Sequence, residues 1–250
     1  MRLWLALGLL LVPAFAGCLD SLVGGGVSPS DYVSSKTYRK LVVEIDYATG
    51  KAPSSELQSF LKGRLQSVVD KPDGVDFRLD ESLGDASRTW TDSAIRSYAS
   101  DHASLKTEGN QAVLHVLFLA GHYQTSGVLG VTYGRGPIAI FSEDVDGMCS
   151  GLVIPGTCST APFYHSVVLH EMGHALGLVN NGLSMVHNHE ASTCDHGNGN
   201  VQQDQRHSSN SNSVMFCGVE QAGLLGTLGS TPPNDFDSDD RADIHAAGGK

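Results

Sequence analysis

Two histidines four residues apart, with a glutamate beside the first, are the residues of this chain best suited to chemistry: His170-Glu171-Met172-Gly173-His174. On an α-helix, positions i and i+4 share a face, so both imidazoles can reach one point. Neutral imidazole nitrogens suit Zn²⁺, which tolerates an open fourth position for water. Glu171 adjoins the first ligand and can take a proton from such a water. Gly177, three residues past His174, can end the helix in a left-handed turn. The spacing predicts one catalytic Zn²⁺ on His170 and His174, with Glu171 as general base. The competing reading is an ordinary amphipathic helix with exposed His and Glu.

The elements that must position this helix are legible as patterns. Residues 41–47 (LVVEIDY) read as a strand, and a helix follows from the Ser54 region to about residue 70. Leu57, Phe60, Leu61, Leu65, Val68 and Val69 mark its buried stripe. Lys71-Pro72-Asp73-Gly74 turns the chain into a short strand at 75–79. Residues 91–106 suit a second helix, and 112–119 form an apolar run fit for a strand buried on both faces. Strands at 128–133 and 137–141, a loop at 142–160 and the metal helix at 162–176 follow. Alternation of strands and helices predicts an α/β (α+β) fold: a mixed sheet, two backing helices and crossover connections.

At 250 residues and 40% apolar content the chain can bury a sizeable core. A formal charge of −11 leaves no basic footprint for nucleic acid. Residues 1–17 read as a signal peptide, with Arg2 before an apolar stretch too short to span a membrane comfortably. They end in Phe15-Ala16-Gly17-Cys18, which resembles a prokaryotic lipobox. That resemblance implies lipidation of Cys18 and anchoring to a membrane, whose outer face the expected disulfides favour; plain secretion is the alternative. Residues 18–38 are expected to be a flexible tether, leaving 39–250 as a single domain with subdomains at 39–179 and 180–250. The remaining four cysteines suggest two disulfides, preferably Cys149–Cys158 and Cys194–Cys217.

After Gly177 the chain turns polar. Residues 180–213 are too long for an ordinary connection and carry His187, His189, His196 and His207. Asp237-Ser238-Asp239-Asp240 lacks the glycine and glutamate of an EF-hand and reads better as the start of a final helix than as a calcium loop.

The helix motif, together with Ser213-Val214-Met215-Phe216, resembles the metzincin clan of zinc metalloproteases. More narrowly, LVVEIDY, HVLFLAG, VLGVTYG, HEMGHALGLVNNG and HSSNSNSVMF resemble predicted membrane-anchored prokaryotic zinc proteases. The resemblance implies a loop-rich C-terminal subdomain ending in a helix, and a turn that sets Met215 beneath the metal. It also implies hydrolysis of peptide or protein substrates by a monomer, with strand 128–133 as the cleft's upper edge. At the clan's usual third-ligand position stands Asn180, so the third ligand is left open between His207, Asn180 and His189. The alternative function is that of a non-catalytic, surface-anchored zinc-binding lipoprotein.

Overall fold

A computed structural model describes residues 27–85, 87–149, 158–195, 201–202, 205–219 and 232–250. The expected signal peptide, the anchor residue Cys18 and His196 lie outside these residues. A five-stranded sheet organises the chain, in the order β2-β1-β4-β7-β6. Its strands are β1 (Lys40–Tyr47), β2 (Val75–Asp80), β4 (Gln111–Leu119), β6 (Gly130–Thr132) and β7 (Ile138–Phe141). The first four in that order run parallel, and β6 is an antiparallel edge strand on β7. This is the mixed α/β architecture expected from the sequence.

Parallel pairing requires crossovers, and helices cover both faces. On one face lie α2 (Ser55–Val68) and α5 (Ala161–Leu176). Their core residues Leu57, Leu61, Leu65, Val167, Val168 and Met172 share one cluster with Leu41, Val43, Ile45, Leu114 and Val116 of the sheet. On the other face α3 (Asp92–His102) packs Ile95 and Ala99 against Leu117, Leu119, Ala139 and Phe141. Helices α2 and α3 begin at hydroxyl caps: Ser54 accepts from the Leu57 amide and Thr91 from the Ala94 amide. A small parallel pair, β3 (Arg88–Trp90) with β5 (Gly121–Tyr123), was not evident from sequence; three-residue strands carry too little periodicity to read.

Two expectations need correction. The tether does not extend to residue 38. Helix α1 (Pro29–Val33) buries Tyr32 and Val33 in the main core. The Lys71 ammonium then donates to the carbonyl oxygens of Asp31, Ser34 and Tyr38 at 2.6, 2.5 and 2.6 Å. All three ammonium donors are thereby used, which pins the segment to the turn after α2. Nor is 142–160 wholly a loop, because Ser142–Gly147 form α4. The Cys149–Cys158 disulfide is present nearby. Cys217 is also disulfide-bonded, whereas its expected pairing with Cys194 lies outside the described side chains.

Beyond α5 the chain contributes little regular structure. Short strands β8 (Cys194–Asp195) and β9 (Val201–Gln202), a 3₁₀ turn at Cys217–Val219, and α6 (Ser238–Ala246) complete it. This C-terminal part shares the main core through Val214, Met215, Val219, Phe236 and Ile244. Among the described residues no helix is long and apolar enough to cross a membrane.

Candidate metal centre

Helix α5 is buried nearly all round over its last eleven residues. A helix of that kind sits inside a core rather than on a surface, so its polar residues need partners. His170 and Glu171 are fully buried, and His174 is 8% exposed. The amphipathic-surface reading of the motif is thereby removed. At its C-terminus α5 ends at Gly177, whose φ of 91° belongs to the left-handed region. Arg135, from the β6–β7 turn, donates to the carbonyls of His174, Ala175 and Asn181 and fastens this helix end.

Three imidazoles converge at one point. His174 Nε2 lies 3.1 Å from His170 Nε2 and 3.2 Å from His207 Nε2. The rings of His170 and His207 face each other at 5.2 Å, and His174 meets both edge-on. Ligand nitrogens at ~2.0–2.1 Å from a tetrahedral ion stand roughly 3.3 Å apart, so this donor set fits a single Zn²⁺. Burial, then the neighbouring His170 and His207 rings, keep His174 well below the usual imidazole pKa. The ring is therefore neutral, the form that offers a lone pair.

The surrounding shell fixes how the rings are aimed. His170 Nδ1 lies 2.7 Å from the Val214 carbonyl oxygen, so it donates there and leaves Nε2 as the lone-pair nitrogen. Val214 belongs to the turn that carries Met215. There the Met215 amide donates to Ser213 Oγ, and Ser213 Oγ donates to buried Asp240 Oδ2 at 2.6 Å. Met215 packs against the metal helix itself: a Cβ added to Gly173 would stand 2.2 Å from Met215 Sδ. Glycine in the motif is thus a packing requirement.

Glu171 turns toward the edge strand. Its Oε2 accepts from the Thr132 hydroxyl at 2.6 Å, and its Cγ would lie 2.8 Å from a Cβ on Gly130. Glu171, His174 and His207 line one cavity of about 190 Å³, together with Val131, Thr132 and Arg206.

The other two candidates for third ligand are engaged elsewhere. Asn180 has φ of 59°, and its amide donates to Glu190 Oε2 at 3.2 Å. The chain has already turned away after Gly177, so the side chain does not join the histidines. Its neighbour Asn181 caps the helix instead, donating to the His174 carbonyl at 2.9 Å. His189 is buried against Asp243, with Nε2 3.0 Å from Oδ2. His207 is delivered by backbone pairing: the Ala191 amide donates to its carbonyl, and the next amide, Ser208, donates to Met215. Thr132 and Arg135 escaped sequence reading. Their roles arise from the β6–β7 hairpin folding over α5, a proximity with no local signature.

No protein-family model matches the chain, and no curated protein matches it. The fold is similar to that in the crystal structure of archaemetzincin from Methanopyrus kandleri, with a TM-score of 0.49 and 13% identity. The match covers 84% of this chain and 96% of that one.

Proposed function

We propose that this protein is a zinc-dependent peptidase in which His170, His174 and His207 hold one ion and Glu171 is the general base. The observation that carries the reading is the convergence of three buried imidazole nitrogens, those of His174 and His207 lining a cavity that the buried Glu171 carboxylate also lines. A bound Zn²⁺ supplies Lewis acidity at the scissile carbonyl and brings the pKa of its water toward neutrality. Glu171 receives the water's proton on its carboxylate and returns it to the leaving amine. Thr132 holds that carboxylate by donating to Oε2.

The edge strand supports a peptide substrate. Among the described residues no strand pairs with the outer edge of β6. Leu129 accepts from the Phe141 amide of β7 and the Tyr133 amide donates to the Pro137 carbonyl just before it, so both bond inward. By antiparallel alternation, Gly130 and Thr132 then present their backbone groups outward, where an extended peptide can add as a strand. The reading extends to an exported monomer anchored through Cys18 to the outer face of a membrane. The Phe15-Ala16-Gly17-Cys18 sequence supports it, and a disulfide at Cys149–Cys158 suits an oxidising compartment.

The test is hydrolysis of casein and of unstructured peptides by the zinc-loaded protein beside its Glu171→Gln variant. Cleavage that is lost with chelator, regained with Zn²⁺ and absent in the variant supports the proposal. Zinc binding at the three histidines without any cleavage would favour the non-catalytic, zinc-binding lipoprotein. A second cluster of metal-type side chains, His189 with Asp237 and Asp239, lends that alternative its specific support.

A further inference from the structure

Behind the Met215 turn, His189 and the first turn of α6 form that second convergence. His189, Asp237 and Asp239 each offer one ligand atom, all within 4.8 Å of one another. The His189 side chain is 4% exposed, and its Nδ1 has no hydrogen-bond partner among the described residues. Oδ1 of fully buried Asp240 faces it at 3.9 Å and is equally unpartnered. That separation is too long for a hydrogen bond and wider than the roughly 3.3 Å between two donors on one tetrahedral ion, so Asp240 Oδ1 faces the cluster without being counted among its ligands.

The remaining atoms of these groups are committed. His189 Nε2 meets Asp243, and Asp240 Oδ2 accepts from Ser213 and from the Asp237 amide. Asp237 Oδ1 caps α6 by accepting from the amides of Asp239 and Asp240, its Oδ2 accepts from Asn210 at 2.8 Å, and Asp239 Oδ1 lies 3.1 Å from the exposed His187 Nδ1, which leaves each carboxylate further lone pairs. Arg241, the arginine on this helix, turns away to Asp235 at 2.6 Å. The carboxylates of Asp237 and Asp239 outweigh the roughly half-unit positive charge of a helix N-terminus, so the cluster is a net attractor of cations.

We propose that His189, Asp237 and Asp239, with Asp240 Oδ1 facing them, bind a second divalent cation of the Zn²⁺ class. An imidazole among the donors favours a borderline ion over Ca²⁺ or Mg²⁺, which prefer oxygen alone. The role is structural. The ion joins the His189 segment to α6, and the His189 carbonyl accepts from Ser209, two residues past His207. It therefore braces the segment that delivers the third imidazole.

The experiment uses the full chain with His170→Ala and His174→Ala, which disables the first site. After loading with ZnSO4 and desalting, one Zn²⁺ per chain is expected by mass spectrometry of the metal, with a Tm raised by Zn²⁺ and not by CaCl2. Adding Asp239→Asn, or Asp237→Asn (which keeps a capping side chain), should weaken this Zn²⁺ at least tenfold. Absence of a retained ion, or retention unchanged by both Asn variants, overturns the site; a Tm response to Ca²⁺ alone overturns its class. Peptide cleavage does not enter these readouts, so this proposal and the peptidase reading fail separately.

Discussion

The Thr132 hydroxyl, on the edge strand, sits 2.6 Å from Glu171 Oε2 and ties the cleft rim to the carboxylate on the metal helix. A hydrogen bond to a charged group contributes about 1.5–3 kcal/mol. Thr132→Val should therefore lower kcat roughly tenfold or more, with metal content unchanged. Steady-state kinetics beside metal analysis checks this; equal kcat in both proteins would mean Glu171 is held by other contacts.

Gly130 tests the same carboxylate sterically. A Cβ there meets Glu171 Cγ at 2.8 Å. Gly130→Ala should displace the base and reduce kcat by up to ~10²–10⁴-fold, the span that general-base catalysis supplies. The variant should still bind Zn²⁺, because the three imidazoles are untouched.

For the third ligand the expectation divides three ways. His207→Ala should release the catalytic ion under mild chelation. Asn180→Ala should leave its affinity unchanged, since that amide is spent on Glu190. His189→Ala should weaken it through the supporting segment, within the ~10–100-fold range of outer-shell changes. Chelator competition titrations separate the three.

How far the sequence reaches can be seen at these same positions. His170, Glu171 and His174 were legible because helical spacing alone places them together. Met215 was legible through its resemblance-based distance from the motif. His207 remained one of three candidates, since its placement depends on backbone pairing of 189–191 with 207–209. The Asn180 position was misleading: two consecutive residues with positive φ, Val179 and Asn180, rotate the chain away from the centre. The strand order also could not be read, because β1 pairs with β4 across some seventy residues of chain. Such pairings leave no periodic trace in either partner.

Met215 supplies a stability prediction. It is fully buried against Gly173 and Phe236 lies close by. Met215→Ala should cost about 2–5 kcal/mol, and Gly173→Ala about 1–3 kcal/mol by overpacking. Urea unfolding of the metal-free proteins measures both without contribution from zinc.

Acid sensitivity should trace in part to Asp46. Burial raises its pKa, but hydrogen bonds from His115 at 2.6 Å and from Ser82 outweigh this and hold it below the usual carboxylate value. A group depressed on folding stabilises fully above its unfolded pKa of about 3.9 and loses that contribution as pH falls through its folded pKa. Asp46→Asn should lower stability at pH 7 and make the decline below about pH 4 shallower. Unfolding curves from pH 2 to 7 decide it.

The four-strand parallel succession β2-β1-β4-β7 has a kinetic consequence. Each of its pairings closes a long stretch of chain before any contact repays the lost freedom, so assembly is expected to be slow for the chain's size. The HExxH helix lies on a surface that exists only after those closures, and His207 arrives from still further along. An unfolded or half-assembled chain thus carries the motif without the three converging nitrogens, and on the proposed function metal capture is expected to come last.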